Sequence, residues 1–160
     1  MTQTKVVLKE VTAETVRAVT ELQVTPEQRG YVASNAVSIA QAYFHREAWF
    51  RAIYVESELV GFAMLRDHTL PGAEAPRPEV SLWRFMIDQR FQKHGYGRRA
   101  LELVVAHTAS RPGVNYLHTS YVVGPHGPKD FYLAFGFRHT GEVKPNGEVC
   151  LSLDLQRMKG

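Results

Sequence analysis

The sequence predicts a mixed α/β domain: one largely antiparallel central sheet flanked by helices, in the order β-α-α-β-β-β-α-β-α-β-β. Three observations predict it. Short apolar runs with strand character alternate with segments whose apolar residues recur at helical spacing. The run VSLWRFMID (80–88) is apolar on both alternations, as a strand buried on both faces would be. Directly after it, QKHGYG (92–97) leads into another helical pattern, which makes a strand–loop–helix unit.

KVVLKEV (5–11) reads as a short first strand. Thr12 can cap a helix carrying Val16, Val19 and Leu22 on one face. TPEQ (25–28) has Thr25 as N-cap, Pro26 in the first turn and Gln28 at the capping-box position. Val32, Ala36, Ile39, Ala40 and Tyr43 follow at helical spacing, so a second helix is expected to run to about His45. WFRAIYV (49–55) and LVGFAMLR (59–66) are strands joined through Glu56-Ser57-Glu58. Pro71, Gly72, Pro76 and Pro78 make 67–79 a loop. Gly97 to about Ser110 is a helix with Leu101, Val104 and Val105 inward. VNYLHTSYVV (114–123) is a strand, and GPHGP (124–128) breaks the chain. Lys129 to Phe135 makes a short helix that stops at Gly136. FRHTGEV and EVCLSLDL close the fold as an antiparallel pair across Pro145-Asn146-Gly147.

The 160 residues suit a single domain, 1–160, without repeats or linkers. A net charge of +3 suits an anionic small molecule and is too weak to argue for nucleic acid. The single cysteine, Cys150, excludes an internal disulfide and reads as a buried, inert thiol in a strand. No run approaches the ~18 apolar residues of a membrane span, and MTQTKVVLKE lacks a signal-peptide apolar region. A cytoplasmic protein is therefore expected. The seven histidines show no metal-ligand spacing, so no metal is expected.

The glycine loop carries the chemistry. Gly95 and Gly97 tolerate positive φ and leave no Cβ in a ligand's way. A helix starting near Gly97 offers unpaired N–H groups and partial positive charge, a setting that binds phosphate. Lys93, His94, Arg98 and Arg99 reinforce that sign. The spacing of a P-loop is absent. Gly95-x-Gly97-x-x-Ala100 fits a loose dinucleotide fingerprint, but six residues separate Asp88 from Gly95, and no acid follows the next strand. Gln92-x-x-Gly95-x-Gly97 matches the pyrophosphate loop of acyl-CoA enzymes, and a plain glycine turn is the fourth reading.

Together with the element order, LWRFMID, QKHGYG and FYLAFGFRHTGE (131–142), this loop resembles the GNAT N-acetyltransferase superfamily over nearly the whole chain. VTPEQ, GFAML, RFMID and the Thr-Gly-Glu after Gly136-Phe137 are similar to the bacterial spermine/spermidine acetyltransferase-like branch. The resemblance implies acetyl-CoA as cofactor, with CoA as product. Phe85, Met86 and Ile87 should end at a β-bulge, splay from the next strand and hydrogen-bond pantetheine. The backbone of Gln92, Lys93, His94, Gly95, Tyr96 and Gly97, with Arg98, would hold the pyrophosphate. Tyr132 falls at the position of the family's usual general acid. Two positions depart from relatives. Pro125 stands where Asn is common, and Trp83-Arg84 stands where polyamine acetylators often place acids.

The implied reaction is direct attack of a primary amine on an acetyl thioester, which needs a base to take the amine proton. Glu79, at the edge of the key strand, is the candidate; Glu47, Glu56, Glu58 and Asp67 lie in regions that could border the acceptor. Trp83 and Tyr43 are candidates for lining the acceptor pocket. The expected partner is a small-molecule amine, with a polyamine as one case. A peptide or lysine acetyltransferase and a non-catalytic acyl-CoA sensor are the alternatives. No nucleic-acid or membrane partner is expected, and the C-terminal strands could serve a homodimer that nothing in the pattern demands.

Overall fold

A computed structural model of the protein describes residues 4–158. Seven strands form one sheet: β1 (Val6–Lys9), β2 (Ala48–Val55), β3 (Glu58–Asp67), β4 (Val80–Ile87), β5 (Tyr116–Tyr121), β6 (Arg138–Val143) and β7 (Val149–Asp154). Their spatial order is β1-β2-β3-β4-β5-β7-β6. Every neighbouring pair is antiparallel except β4 and β5. The helices are α1 (Val16–Glu21), α2 (Asn35–Ala42), α3 (Tyr96–Ala109), α4 (Lys129–Phe135) and α5 (Leu155–Met158). The expected mixed, largely antiparallel sheet and its element order are what the chain adopts.

Two apolar layers hold the sheet. On one face, Val19 and Leu22 near α1 pack with Ala52, Phe62, Met64 and Met86, and Ile39 and Ala42 of α2 close the layer. Buried Asn35 joins the two helices by donating from Nδ2 to the Val19 carbonyl at 2.9 Å. On the other face, Ala100, Leu101, Val104 and Val105 of α3 and Tyr132 and Phe135 of α4 pack on Ile53, Ala63, Leu65, Leu82, Ile87 and Leu117. At about 25 cal/mol per Å² of apolar area, burial of this kind is the main force holding the layers together.

Three expectations need correction. The helix expected from Thr25 to His45 is broken. Pro26–Gln28 form one 3-10 turn, and Ser34 then starts α2 anew by accepting from the Val37 N–H at 3.2 Å. Between them Tyr31 leaves the helical path and lays its ring on the loop at Gly124–Gly127. The β-bulge in β4 lies at Trp83, where the pairing with β3 steps from Leu65↔Leu82 to Met64↔Arg84, and not at the strand end after Ile87. The strand expected over 114–123 is shorter, and α5 follows β7 without a gap. No helix of the described residues is long and apolar enough to cross a membrane.

Candidate functional site

Strands β4 and β5 run in parallel and share only two register pairs, Val80↔Leu117 and Ser81↔His118. Beyond Ser81 they separate. At the fork the buried Thr119 hydroxyl donates to the Leu82 carbonyl at 3.2 Å, so a side chain stands where the next ladder bond would be. The opening leaves the β5-facing backbone of residues 83–87 without a strand partner, and an extended chain can pair with such an edge.

The glycine loop closes the far end of this opening. Buried Asp88 anchors its start. The carboxylate accepts from the Gln23 N–H, the Arg90 N–H and Arg90 Nε, each at 2.9 Å. Burial works against the charged form, but the Arg90 side-chain bond, the two backbone bonds and the Arg90 charge outweigh it and hold the carboxyl below its ordinary range. Gln92 turns back to donate to the Ile87 carbonyl at 2.9 Å and to Gln28 Oε1 at 2.8 Å. Its side chain thus braces the loop, leaving only its backbone for a ligand.

Lys93 has φ +67° and Gly95 φ +81°, two left-handed residues in quick succession. A Cβ at Gly95 would meet nothing within 4 Å, so this glycine answers to its backbone angle. Gly97 differs: a Cβ there would touch Ile87 and Phe131 at an ordinary 3.5 Å. The first bond of α3 runs from the Arg99 N–H to the Gly95 carbonyl, and the amides of Gly95, Tyr96, Gly97 and Arg98 have no acceptor among the described residues. Such a row of free N–H groups at a helix start receives an anion.

From the other side, α4 points Tyr132 into the fork. The ring is 6% exposed, and Phe131 beside it stacks on Phe85 with centroids 6.0 Å apart. Burial pushes the Tyr132 phenol well above its ordinary pKa, and a side-chain hydrogen bond with Thr119 acts in the opposite direction. The phenol therefore stays protonated through the neutral range.

One cleft of about 1510 Å³ joins these parts. That exceeds the ~300–1,000 Å³ of a single small-ligand pocket and leaves room for two ligands side by side. Phe85, Met86, Ile87, Gln92, Lys93, Gly95, Gly97 and Arg98 line it, as do Tyr132, Glu79 and Trp83. His94 and Tyr96 contribute no lining side chain, and Tyr43 lies outside, 86% exposed beyond the end of α2. Glu79 is exposed at the rim, and no hydrogen bond engages its carboxylate among the described residues. Cys150 also lines the cleft and is half-buried, where the sequence suggested full burial. Among the described residues no cluster could hold a metal ion.

Sequence reasoning missed the roof of this cleft. The backbone N–H of His126 donates to Tyr31 Oη at 3.3 Å, and a Cβ on Gly124 would collide with that hydroxyl. The two glycines of GPHGP thus make room for the ring. It also missed the wall made by His118, Ser120 and Glu148, where Ser120 Oγ donates to Glu148 Oε1 at 3.1 Å.

The sequence matches the Acetyltransferase (GNAT) family over residues 15–137. It is 28% identical over 151 residues to a spermine/spermidine N(1)-acetyltransferase of Bacillus subtilis (strain 168), an alignment covering 92% of this chain and 97% of that protein. The fold is similar to that of aminoglycoside acetyltransferase AAC(6')-Ib in complex with coenzyme A, at a TM-score of 0.76 and 14% identity over 97% and 98% of the two chains. It is also similar to an acetyltransferase from Thermus thermophilus, at a TM-score of 0.69 and 21% identity over 96% and 99%.

Proposed function

Because the chain belongs to the GNAT acetyltransferase family, we propose that it transfers the acetyl group of acetyl-CoA directly to the primary amine of a small molecule. The observation that carries this reading is the convergence in one cleft of an unpaired strand edge, a row of free helix-start amides and a buried, protonated tyrosine.

The residues fit acetyl-CoA part by part. The open β4 edge at Phe85, Met86 and Ile87 suits the amides of pantetheine. The backbone of residues 92–97 and the Arg98 side chain suit the pyrophosphate, and Lys93 adds positive charge. The cofactor supplies an activated acetyl thioester. Everything else falls to the chain and to the acceptor.

An alkylamine of pKa about 10.4 is mostly protonated at neutral pH, and only the neutral form attacks. Glu79, unengaged at the rim, takes that proton directly or through water. As the nitrogen–carbon bond forms and the carbon–sulfur bond breaks, negative charge collects on sulfur. Tyr132 meets that charge with its Oη–H. Cys150 has no part in this, since direct transfer needs no covalent enzyme intermediate.

Spermine and spermidine, named for the Bacillus relative, and aminoglycosides, named for the structural neighbour, are the first acceptors to assay alongside short peptides. The test is release of free CoA from acetyl-CoA in the presence of each. Release with at least one amine, accompanied by one acetyl group added to it, is the expected result. Tight acetyl-CoA binding without release for any amine would instead favour a non-catalytic acyl-CoA sensor.

A further inference from the structure

The wall of the cleft at β4 holds a cation, Arg84, that makes no ion pair among the described residues. The bulge puts two successive residues, Trp83 and Arg84, on the same face of β4, toward α2. Arg84 Nη1 donates to the Trp83 carbonyl at 3.0 Å and Nη2 to Gln41 Oε1 at 3.2 Å. Its Nε is buried and has no partner. Two other arginines of the cleft have carboxylate partners. Arg66 pairs with Glu47 at 3.3 Å, and Arg98 pairs with Glu102 at 3.5 Å. No carboxylate among the described residues lies within 4.0 Å of Arg84.

Nor does an acid of the cleft pair with it: Glu79 and Glu142 are exposed, and Glu148 bonds to Ser120 and to Asn146 and not to Arg84. Burial first, and then the positive charge of Arg66, pull the Arg84 guanidinium below its ordinary pKa, while the Glu148 charge acts the other way. A half-buried, unpaired charge is costly, and an incoming anion relieves that cost.

The same surroundings are poor for a polycation. Trp83 offers an aromatic face beside Arg84, and the Arg66 guanidinium already stacks on it, 3.6 Å from the ring centroid. A second ammonium there would meet Arg66 and Arg84 together.

We infer that the acceptor is a primary amine that also carries a carboxylate, and that Arg84, which lines the cleft, holds this carboxylate with its guanidinium. The planar edge of a guanidinium matches a carboxylate with two parallel hydrogen bonds. This inference rests on the acetyltransferase reading above and narrows it.

The test uses matched acceptors: lysine against 1,5-diaminopentane, ornithine against 1,4-diaminobutane, and O-phosphoethanolamine as a phosphate-bearing arm. Each is titrated calorimetrically into the CoA-loaded protein, after acetyl-CoA binding has been measured alone. The carboxylated member of each pair should bind at least about tenfold tighter, the scale of a charge-assisted bond. Arg84→Gln should bring the members of a pair to within about twofold, and Arg84→Lys should restore part of the difference. Equal or tighter binding of the diamines, binding of none, an unchanged ratio in Arg84→Gln, or preference for the phosphate arm each overturns the inference. Failure to bind acetyl-CoA at all would instead overturn the enzymatic reading beneath it.

Discussion

Replacing Tyr132 by Phe removes one hydroxyl and leaves the ring's packing in place. The structure sets the size of the effect. The phenol is buried and its pKa lies above the ordinary value of about 10, whereas a free thiol ionises near 8.5. Complete proton transfer from Tyr132 to a thiolate is therefore uphill by more than ~1.5 pK units, or about 2 kcal/mol. In the proposed mechanism Tyr132 would then act chiefly by hydrogen-bonding the sulfur while charge builds on it. A hydrogen bond to a charged group contributes about 1.5–3 kcal/mol. At about 1.36 kcal/mol per decade, Tyr132→Phe should lower kcat by roughly 10- to 150-fold. The acetyl-CoA KM should stay within about twofold, because the loss falls on the transition state. Stability should fall by only about 1 kcal/mol, since Thr119 keeps its bond to Leu82. The raised phenol pKa also predicts no alkaline loss of kcat from this group below pH ~10. Steady-state kinetics with both substrates varied supply the measurement. A kcat within about threefold of the parent, or a loss confined to acetyl-CoA affinity, would refute this role.

Two further outcomes follow from the same geometry. Gly95→Ala should cost about 1–2 kcal/mol, for the left-handed backbone at φ +81° and nothing else, because no atom stands in the way of a Cβ. Gly95→Glu adds a charge beside the proposed pyrophosphate site and should weaken acetyl-CoA binding by about 100-fold, read by calorimetry on a protein that still melts cooperatively. His107 stacks on Trp49 at 4.2 Å with Nε2 buried and unpaired. Burial lowers its pKa, with Asp67 opposing and Arg111 and Arg51 adding to the shift. The unfolded chain thus binds the proton more readily, so this contribution is full above pH ~6.5 and is lost as pH falls below it. Urea unfolding at pH ~7 and ~5 should show His107→Phe losing less stability on acidification than the parent; an equal loss would assign the slope to other groups.

The glycine loop was legible because its two glycines follow a strand apolar on both alternations and precede a helical repeat, and few backbones demand that combination. The short helix before Gly136 was legible for a similar reason, since the glycine there takes φ +130°. The segment 29–34 was not. Val32 and Tyr43 keep helical spacing on paper, yet Ser34 restarts the helix, so α2 ends at Ala42 and Tyr43 falls into solvent. Gly30 and the Ser34-Asn35 pair were the available signals, but what moves the segment is the docking of Tyr31 on a loop some ninety residues away. The bulge was equally hidden. In a strand apolar on both faces, one extra residue does not disturb the visible alternation, and Trp83 and Arg84 reach the same side unannounced. Arg84 could be read as a departure from a family pattern; its lack of a counter-ion needed three dimensions.

In the proposed complex the free amides at the start of α3 and the open edge of β4 receive acetyl-CoA. Amide chemical shifts of 15N-labelled protein, titrated with CoA, test this most directly. Saturable shifts concentrated at residues 93–98 and 85–87 are expected, with the Gly95 and Gly97 amides among the largest. Shifts centred elsewhere, or none while CoA demonstrably binds, would contradict it.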